Sequence, residues 1–155
     1  MKSAVIYYSR SGMTKTIAEK IKDVFHSDLF FVEPEKAYGS YLSAVLRNGK
    51  EKISRKTAKV ATPAADFSPY DVIFVGFPVW YGTMPDFMQE YIRKCDIRGK
   101  KVIPFATAGA NGRDSSLETV KSLFTGCTVS DYFYTTKPKG SEADVWLKEL
   151  TGKLK

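Results

Sequence analysis

Short apolar runs recur along the chain and predict the strands of a parallel sheet. They lie at residues 3–9, 29–32, 71–77, 100–106 and 127–134. Polar residues alternate little with apolar ones over residues 3–8, 72–77 and 102–106. Strands that are apolar on both faces belong inside a parallel sheet whose two sides are both covered.

Apolar residues with helical spacing fill the intervals between these runs. Four of them fall on one face of a helix from about 13 to 26. Pro85 suits the first turn of a second helix, which continues to Cys95. Ser115 and Glu118 have the spacing of a capping box, which predicts that a third helix begins near Ser115.

Two further segments complete the alternation of strands and helices. Apolar residues between Ala143 and Leu154 predict a C-terminal helix, and those between Tyr41 and Leu46 also have helical spacing, although Gly49 interrupts it. Such alternation predicts an α/β fold with a doubly wound sheet and right-handed crossovers. No repeat or linker divides the chain, so we expect residues 1–155 to form a single domain.

The composition is that of an ordinary globular protein, with 43% hydrophobic and 26% charged residues. The longest apolar stretch, residues 72–81, is about half the length of a membrane-spanning helix, so no membrane interaction is expected. Cys95 and Cys127 lie far apart without metal-like spacing, which predicts reduced thiols in a cytoplasmic protein. The single histidine, His26, excludes a histidine-rich metal centre.

The net charge is +7, and much of it lies in residues 47–59. A solvated, Lys-rich helix face is the favoured interpretation of this segment. The alternative is a docking patch for an acidic partner or a nucleic acid. Aromatic residues of the kind that stack on single-stranded bases are missing from the segment, so nucleic-acid binding is not expected.

The loop after the first predicted strand, SRSGMT at residues 9–14, has the composition of an anion site. Ser9, Ser11 and Thr14 offer hydroxyl groups, and Gly12 permits a tight turn before the helix. Amide groups at a helix N-terminus bind phosphate well. A plain turn with an N-cap serine is the alternative. The loop matches neither GxxxxGK[ST] nor GxGxxG.

Two other loops are expected beside it, because ligands of open α/β sheets bind at the carboxyl ends of the strands. Trp80 and Tyr81 follow the third strand and predict a flat wall for a planar ring, unless they only cap the sheet's hydrophobic edge. Gly109 and Gly112 follow the fourth strand and permit close backbone approach. A phosphate site and an aromatic wall at one sheet edge together describe FMN.

These three segments resemble those of the flavodoxin family. Residues 8–14 resemble its phosphate loop, commonly [ST]-x-[ST]-G-N-T, residues 71–85 resemble its third strand and flavin-contacting loop, and residues 100–112 resemble its fourth strand and third loop. The resemblance implies a five-stranded parallel sheet in the order 2-1-3-4-5, non-covalently bound FMN and one-electron transfer. It implies no catalytic side chain and no metal.

Site residues are carried over from the resemblance by position. The phosphate loop would comprise Ser9, Arg10, Ser11, Gly12, Met13 and Thr14. The ring and ribityl chain would lie against Pro78, Val79, Trp80, Tyr81 and Gly82, within the loop 78–83. The other edge of the flavin would be closed by Thr107, Ala108, Gly109, Asn111 and Gly112.

Met13 stands where the family usually has asparagine, so one side-chain hydrogen bond to the phosphate is lost. The leading hypothesis is an electron carrier, a monomer or weak dimer, whose basic surface meets acidic redox partners. One alternative is a small FMN-dependent NAD(P)H:quinone or flavin reductase, because the third loop has no aromatic over the flavin's outer face. Another is a flavin-free docking module of the same fold, for which the loss of asparagine at position 13 is the best support.

Overall fold

The computed structural model describes residues 1–36 and 59–154. The helical pattern at residues 41–46 and most of the basic segment 47–59 lie outside the described residues. Within the described ranges there are six strands and four helices. The strands are β1 (Ser3–Tyr7), β2 (Asp28–Phe31), β3 (Val72–Pro78), β4 (Lys101–Thr107), β5 (Thr128–Val129) and β6 (Phe133–Thr135). The helices are α1 (Met13–Phe25), α2 (Asp86–Lys94), α3 (Arg113–Leu123) and α4 (Glu142–Lys153).

All strands of the sheet are parallel, as their apolar character predicts. The order is β2-β1-β3-β4-β5, and β6 also pairs with β4. Ile6 is opposite Val75, and Val75 is opposite Pro104. Because the strands run in one direction, β1, β3 and β4 all end at the same edge of the sheet, which we call the carboxyl edge.

Two apolar layers cover the two faces of this sheet. On one face, Ile17 and Ile21 of α1 and Leu147 of α4 pack with Phe74 and other side chains of the sheet. On the other face, Met88 and Tyr91 of α2 and Val120 of α3 pack with the side chains that alternate with these, such as Ile6 and Ile73. The helices on both faces explain why the central strands carry no polar side.

The single fifth strand predicted over residues 127–134 is instead divided in two. β5 pairs with residues 101–102 and β6 with residues 105–107, and Asp131 between them has a φ of 55°. The Ser130 amide donates to the Val102 carbonyl, so the backbone groups of Val102 face the fifth strand. Those of Pro104, two residues further along β4, face it as well. Proline has no N–H to donate there, which explains the break in pairing.

The predicted bounds of α1, α2 and the C-terminal helix α4 agree with the structure to within two residues. The capping box at Ser115 is wrong, because α3 begins two residues earlier with Gly112 as its N-cap and makes no side-chain cap hydrogen bond. Ser116 Oγ instead donates to the Gly112 carbonyl at 2.5 Å. None of the helices in the described ranges has both the length and the apolar character needed to cross a bilayer.

Candidate functional site

Within the part of the chain that the structure describes, several backbone amides of the loop between β1 and α1 have no hydrogen-bond partner. Gly12 is the N-cap of α1 with a φ of 90°, and no side chain caps the helix. The first bond of the helix runs from the Thr16 amide to the Gly12 carbonyl at 3.0 Å. The amides of residues 13–15 therefore have no partner within the helix, and they form the positive end of its dipole.

Ser9 closes this loop with its side chain. Its Oγ accepts a hydrogen bond from the Gly12 amide at 3.1 Å. A hydroxyl that accepts in this way keeps its own proton and can donate it to an anion. The N-cap serine considered as an alternative from the sequence is therefore not the arrangement found, since the N-cap is Gly12.

The loop after β3 contains a two-residue turn at its tip. Trp80 and Thr83 exchange backbone hydrogen bonds of 2.9 and 3.1 Å, and the two residues between them, Tyr81 and Gly82, have φ values of 51° and 72°. Two successive positive φ angles define a type I′ turn. Tyrosine is strained in this conformation, where glycine or asparagine is preferred.

The aromatic pair predicted as a flat wall is not a pair in the structure. Trp80 is 4% exposed, and its ring meets the ring of Tyr8 edge to face with centroids 5.8 Å apart. Tyr81 is 54% exposed at the tip of the turn. Trp80 therefore caps the apolar edge of the sheet, the alternative that the sequence left open, while part of it still borders the cleft described below.

The loop after β4 packs directly on the loop after β3. The Val79 amide donates to the Thr107 carbonyl at 2.8 Å. A Cβ atom on Gly112, whose φ is 137°, would lie 2.9 Å from Val79 Cγ1. Only glycine combines this positive φ with so close an approach.

Tyr134 holds the same loop from the side of β6. Its hydroxyl donates to the Ala110 carbonyl. Burial raises the pKa of this hydroxyl, so it remains a neutral donor at physiological pH. The loop is also tied to β6 by the Ala108 amide, which donates to the Thr135 carbonyl at 3.1 Å.

The three loops meet in one partly open cleft at the carboxyl edge, with a volume of about 90 Å³. Its lining comprises Ser9, Arg10, Ser11, Met13, Thr14, Pro78, Val79, Trp80, Thr107, Ala108 and Gly109. Five of the residues predicted from the sequence do not line it: Gly12, Tyr81, Gly82, Asn111 and Gly112. Asn111 and Gly112 border a separate, open depression of about 340 Å³ beside Tyr134.

The first loop contributes most of the polar groups of the lining, namely the hydroxyl groups of Ser9, Ser11 and Thr14 and the side chain of Arg10. The other two loops contribute the apolar residues Pro78, Val79 and Ala108. In the described ranges, no group of three or more His, Cys, Asp or Glu side chains is placed to hold a metal ion.

The sequence of the chain matches the model of a known protein family. A family model described as flavodoxin matches residues 2–147. This match spans almost the whole chain. The chain belongs to the flavodoxin family.

Solved structures share the fold of this flavodoxin family member. A candidate flavoprotein from Bacteroides uniformis ATCC 8492 is 23% identical, with 97% of each chain covered and a TM-score of 0.82. A candidate flavoprotein from Bacteroides eggerthii DSM 20697 is 26% identical, with 97% of this chain and 98% of that chain covered and a TM-score of 0.79. A flavoprotein in complex with FMN from Lactobacillus acidophilus NCFM is 22% identical, with 94% of this chain and 97% of that chain covered and a TM-score of 0.76. No curated protein matches the sequence.

Sequence reasoning missed the contacts that join the loops of this flavodoxin to each other. Thr14 Oγ1 and Thr107 Oγ1 are 2.8 Å apart. Thr83 Oγ1 donates to Thr119 Oγ1 at 2.7 Å and fixes the loop after β3 to α3. Each pair is far apart in the chain, so no local pattern indicated it.

Proposed function

We propose that this protein binds FMN non-covalently and transfers single electrons, as a flavodoxin-type carrier. The observation that carries the proposal is the convergence of three loops on one cleft at the carboxyl edge of a doubly wound sheet. Ligands of such sheets bind at this edge. The cleft offers a phosphate site from the first loop and apolar surface from the other two, which is the polarity of a flavin mononucleotide.

The donors of the first loop fit a phosphate group. The amides of residues 13–15 and the hydroxyls of Ser9, Ser11 and Thr14 would bind its oxygens. Arg10 belongs to the same loop and adds positive charge. A dianionic phosphate at a helix N-terminus is stabilised by both the amides and the dipole.

The remaining lining residues fit a flat apolar ring. Pro78, Val79 and Ala108 present apolar surface, and a Cβ built on Gly109 meets no atom within 4 Å, so there is space beside that backbone. The cleft volume of 90 Å³ is well below the roughly 300–1,000 Å³ of a site that surrounds a small molecule. We therefore expect the phosphate to be enclosed and the ring to lie across the open part of the cleft.

The redox chemistry would be that of the cofactor. Among the described residues that line the cleft, Arg10 is the only ionisable one, and arginine does not exchange its proton near neutral pH. This described part of the lining therefore offers no side chain that titrates near neutral pH. FMN, when bound, supplies one-electron chemistry, and the protein binds it, orients it and limits its contact with water.

An absorbance spectrum of the purified protein, before and after incubation with FMN and desalting, tests the proposal. We expect flavin bands in the visible range to stay with the protein. A colourless protein that also leaves FMN fluorescence unquenched would contradict it and favour the flavin-free docking module. Steady-state oxidation of NAD(P)H with a quinone then separates a carrier, which should be slow, from a reductase.

We further propose that the redox partners have acidic docking surfaces. The chain has a net charge of +7. Arg113, Lys137 and Lys139 are exposed on segments that begin at the carboxyl edge. The proposal places the protein in the reducing cytoplasm, where its two free thiols, Cys95 and Cys127, would stay unpaired.

A further inference from the structure

The hydrogen bond between Thr14 and Thr107 joins the phosphate loop to the loop after β4. The two hydroxyl oxygens are 2.8 Å apart. Thr14 lies in the first turn of α1 and Thr107 is the last residue of β4. Both residues are almost completely buried, at 1% and 2% exposure, and both line the cleft.

The two hydroxyls carry two protons, and the bond between them uses one. Within residues 1–36 and 59–154, each side-chain hydroxyl has the other as its hydrogen-bond partner. A buried hydroxyl proton without an acceptor costs roughly 1–3 kcal/mol. An acceptor that enters the cleft would therefore gain a donor that is already in place.

The position of an anion decides which hydroxyl donates to the other. A phosphate bound at the N-terminus of α1 would lie beside Thr14, and the Thr14 hydroxyl would donate its proton to a phosphate oxygen. Thr14 would then have no proton left for Thr107, and Thr107 would donate to Thr14 Oγ1. A donor that also accepts a hydrogen bond is polarised and strengthened.

We propose that Thr107 is a positioning residue for the phosphate and acts through Thr14. This inference rests on the proposed function and adds a role to a residue that the sequence placed only at the edge of the flavin. Thr107 fixes the Thr14 hydroxyl in the orientation that donates to the phosphate. It therefore favours ligands that carry a phosphate over the same ring and sugar chain without one.

Flavins with and without the phosphate separate this role from a general one. Valine has nearly the shape of threonine but no hydroxyl. We expect Thr107→Val to weaken FMN binding about tenfold, which corresponds to the upper part of the range for one hydrogen bond. Riboflavin, which lacks the phosphate, should bind with unchanged affinity, and Thr107→Ser should restore FMN binding.

The measurement is a fluorescence-quenching titration of FMN and of riboflavin against each variant. Thr151→Val is the matched control, because Thr151 Oγ1 donates to the Leu147 carbonyl at 2.8 Å in α4, outside the cleft lining. A second comparison, between Thr14→Val and the double variant, distinguishes loss of this hydrogen bond from a folding defect. Thr14→Val should weaken FMN binding by itself, and adding Thr107→Val to it should have no further effect.

The outcomes are distinct. Equal losses for FMN and riboflavin in Thr107→Val, no loss for either, or additive losses in the double variant would overturn the inference and leave the proposed function standing. A wild-type protein that quenches neither flavin would overturn the proposed function, and the inference with it.

Discussion

At Gly76 the backbone of β3 lies close to a side chain of β4. A Cβ atom at this position would lie 2.1 Å from Phe105 Cζ, and Gly76 is directly opposite Phe105 in the sheet. Phe105 is fully buried and cannot move aside without disturbing the layer formed by α1 and α4. The glycine is therefore required by packing and not by its backbone angles.

We expect Gly76→Ala to lower the free energy of unfolding by roughly 1–3 kcal/mol, the usual cost of overpacking a core. Chemical denaturation measures it. Gly152→Ala is the control, because Gly152 lies in the last turn of α4 with no atom within 4 Å of the added Cβ. That variant should be as stable as the wild type or gain up to about 1 kcal/mol from helix propensity. Equal shifts in the two variants would contradict the explanation.

Met13 is the residue of the phosphate loop that departs from the flavodoxin pattern. It lies at the first position of α1 and lines the cleft. Met13→Asn would add a side-chain donor where the phosphate is expected. We predict FMN binding about fivefold tighter, equivalent to ~1 kcal/mol for one hydrogen bond, with riboflavin binding unchanged.

Titration of flavin fluorescence measures both affinities. Met13→Leu keeps the size and apolar character of the side chain and should bind FMN like the wild type. If Met13→Leu and Met13→Asn change the affinity alike, shape rather than hydrogen bonding determines the effect at this position.

At the scale of elements, Asp131 connects the divided fifth strand to α4. Its carboxylate accepts a hydrogen bond from Lys153 Nζ, and its carbonyl accepts one from Trp146 Nε1 at 3.1 Å. Lys101 Nζ lies 4.0 Å from the other carboxylate oxygen. The hydrogen bond from Lys153 lowers the pKa of Asp131 below its ordinary value. The ionised carboxylate is therefore favoured in the folded state.

Two substitutions separate the charge of Asp131 from its backbone conformation. Asparagine tolerates the positive φ of 55°, so Asp131→Asn removes mainly the charge. Alanine does not, so Asp131→Ala should be less stable than Asp131→Asn by about 1–2 kcal/mol. Thermal denaturation of the two variants at pH 7 gives the comparison.

The stabilising effect of the Asp131 charge should depend on pH. Because the folded-state pKa is lowered, the effect is complete above the unfolded-state pKa of about 3.9 and disappears as the pH falls through the folded-state value. The difference in free energy of unfolding between wild type and Asp131→Asn should therefore shrink when the pH is lowered from 7 to 3. A difference that stays constant over this range would show that the carboxylate charge is not its source.

At the scale of the whole molecule, the net charge of +7 should steer charged reactants. If FMN binds as proposed, the reduced protein should transfer electrons to ferricyanide, an anion, faster than to a cationic metal complex of similar driving force. Raising the ionic strength should slow the first reaction and speed the second, because salt screens the protein's field within roughly 10 Å. Stopped-flow reoxidation measures both, and equal salt dependence would contradict steering by this surface.

The types and order of the elements follow from the sequence, because side-chain periodicity is a local property. Apolar runs without alternation indicated buried parallel strands, and helical spacing indicated the helices that cover them. The carboxyl edge of such a sheet follows from the strand direction alone. This is why eleven of the predicted site residues, from Ser9 to Gly109, meet in one cleft.

The tertiary structure decided the features that depend on contacts between distant segments. The buried ring of Trp80 packs against Tyr8, which follows another strand, and nothing beside Trp80 in the sequence indicates this contact. The fifth strand is divided because Pro104 of its neighbour faces it, which is known only once the pairing is fixed. Thr14 and Thr107 are joined across 93 residues. Local patterns specify which face of an element is apolar, whereas register and packing determine which residues meet.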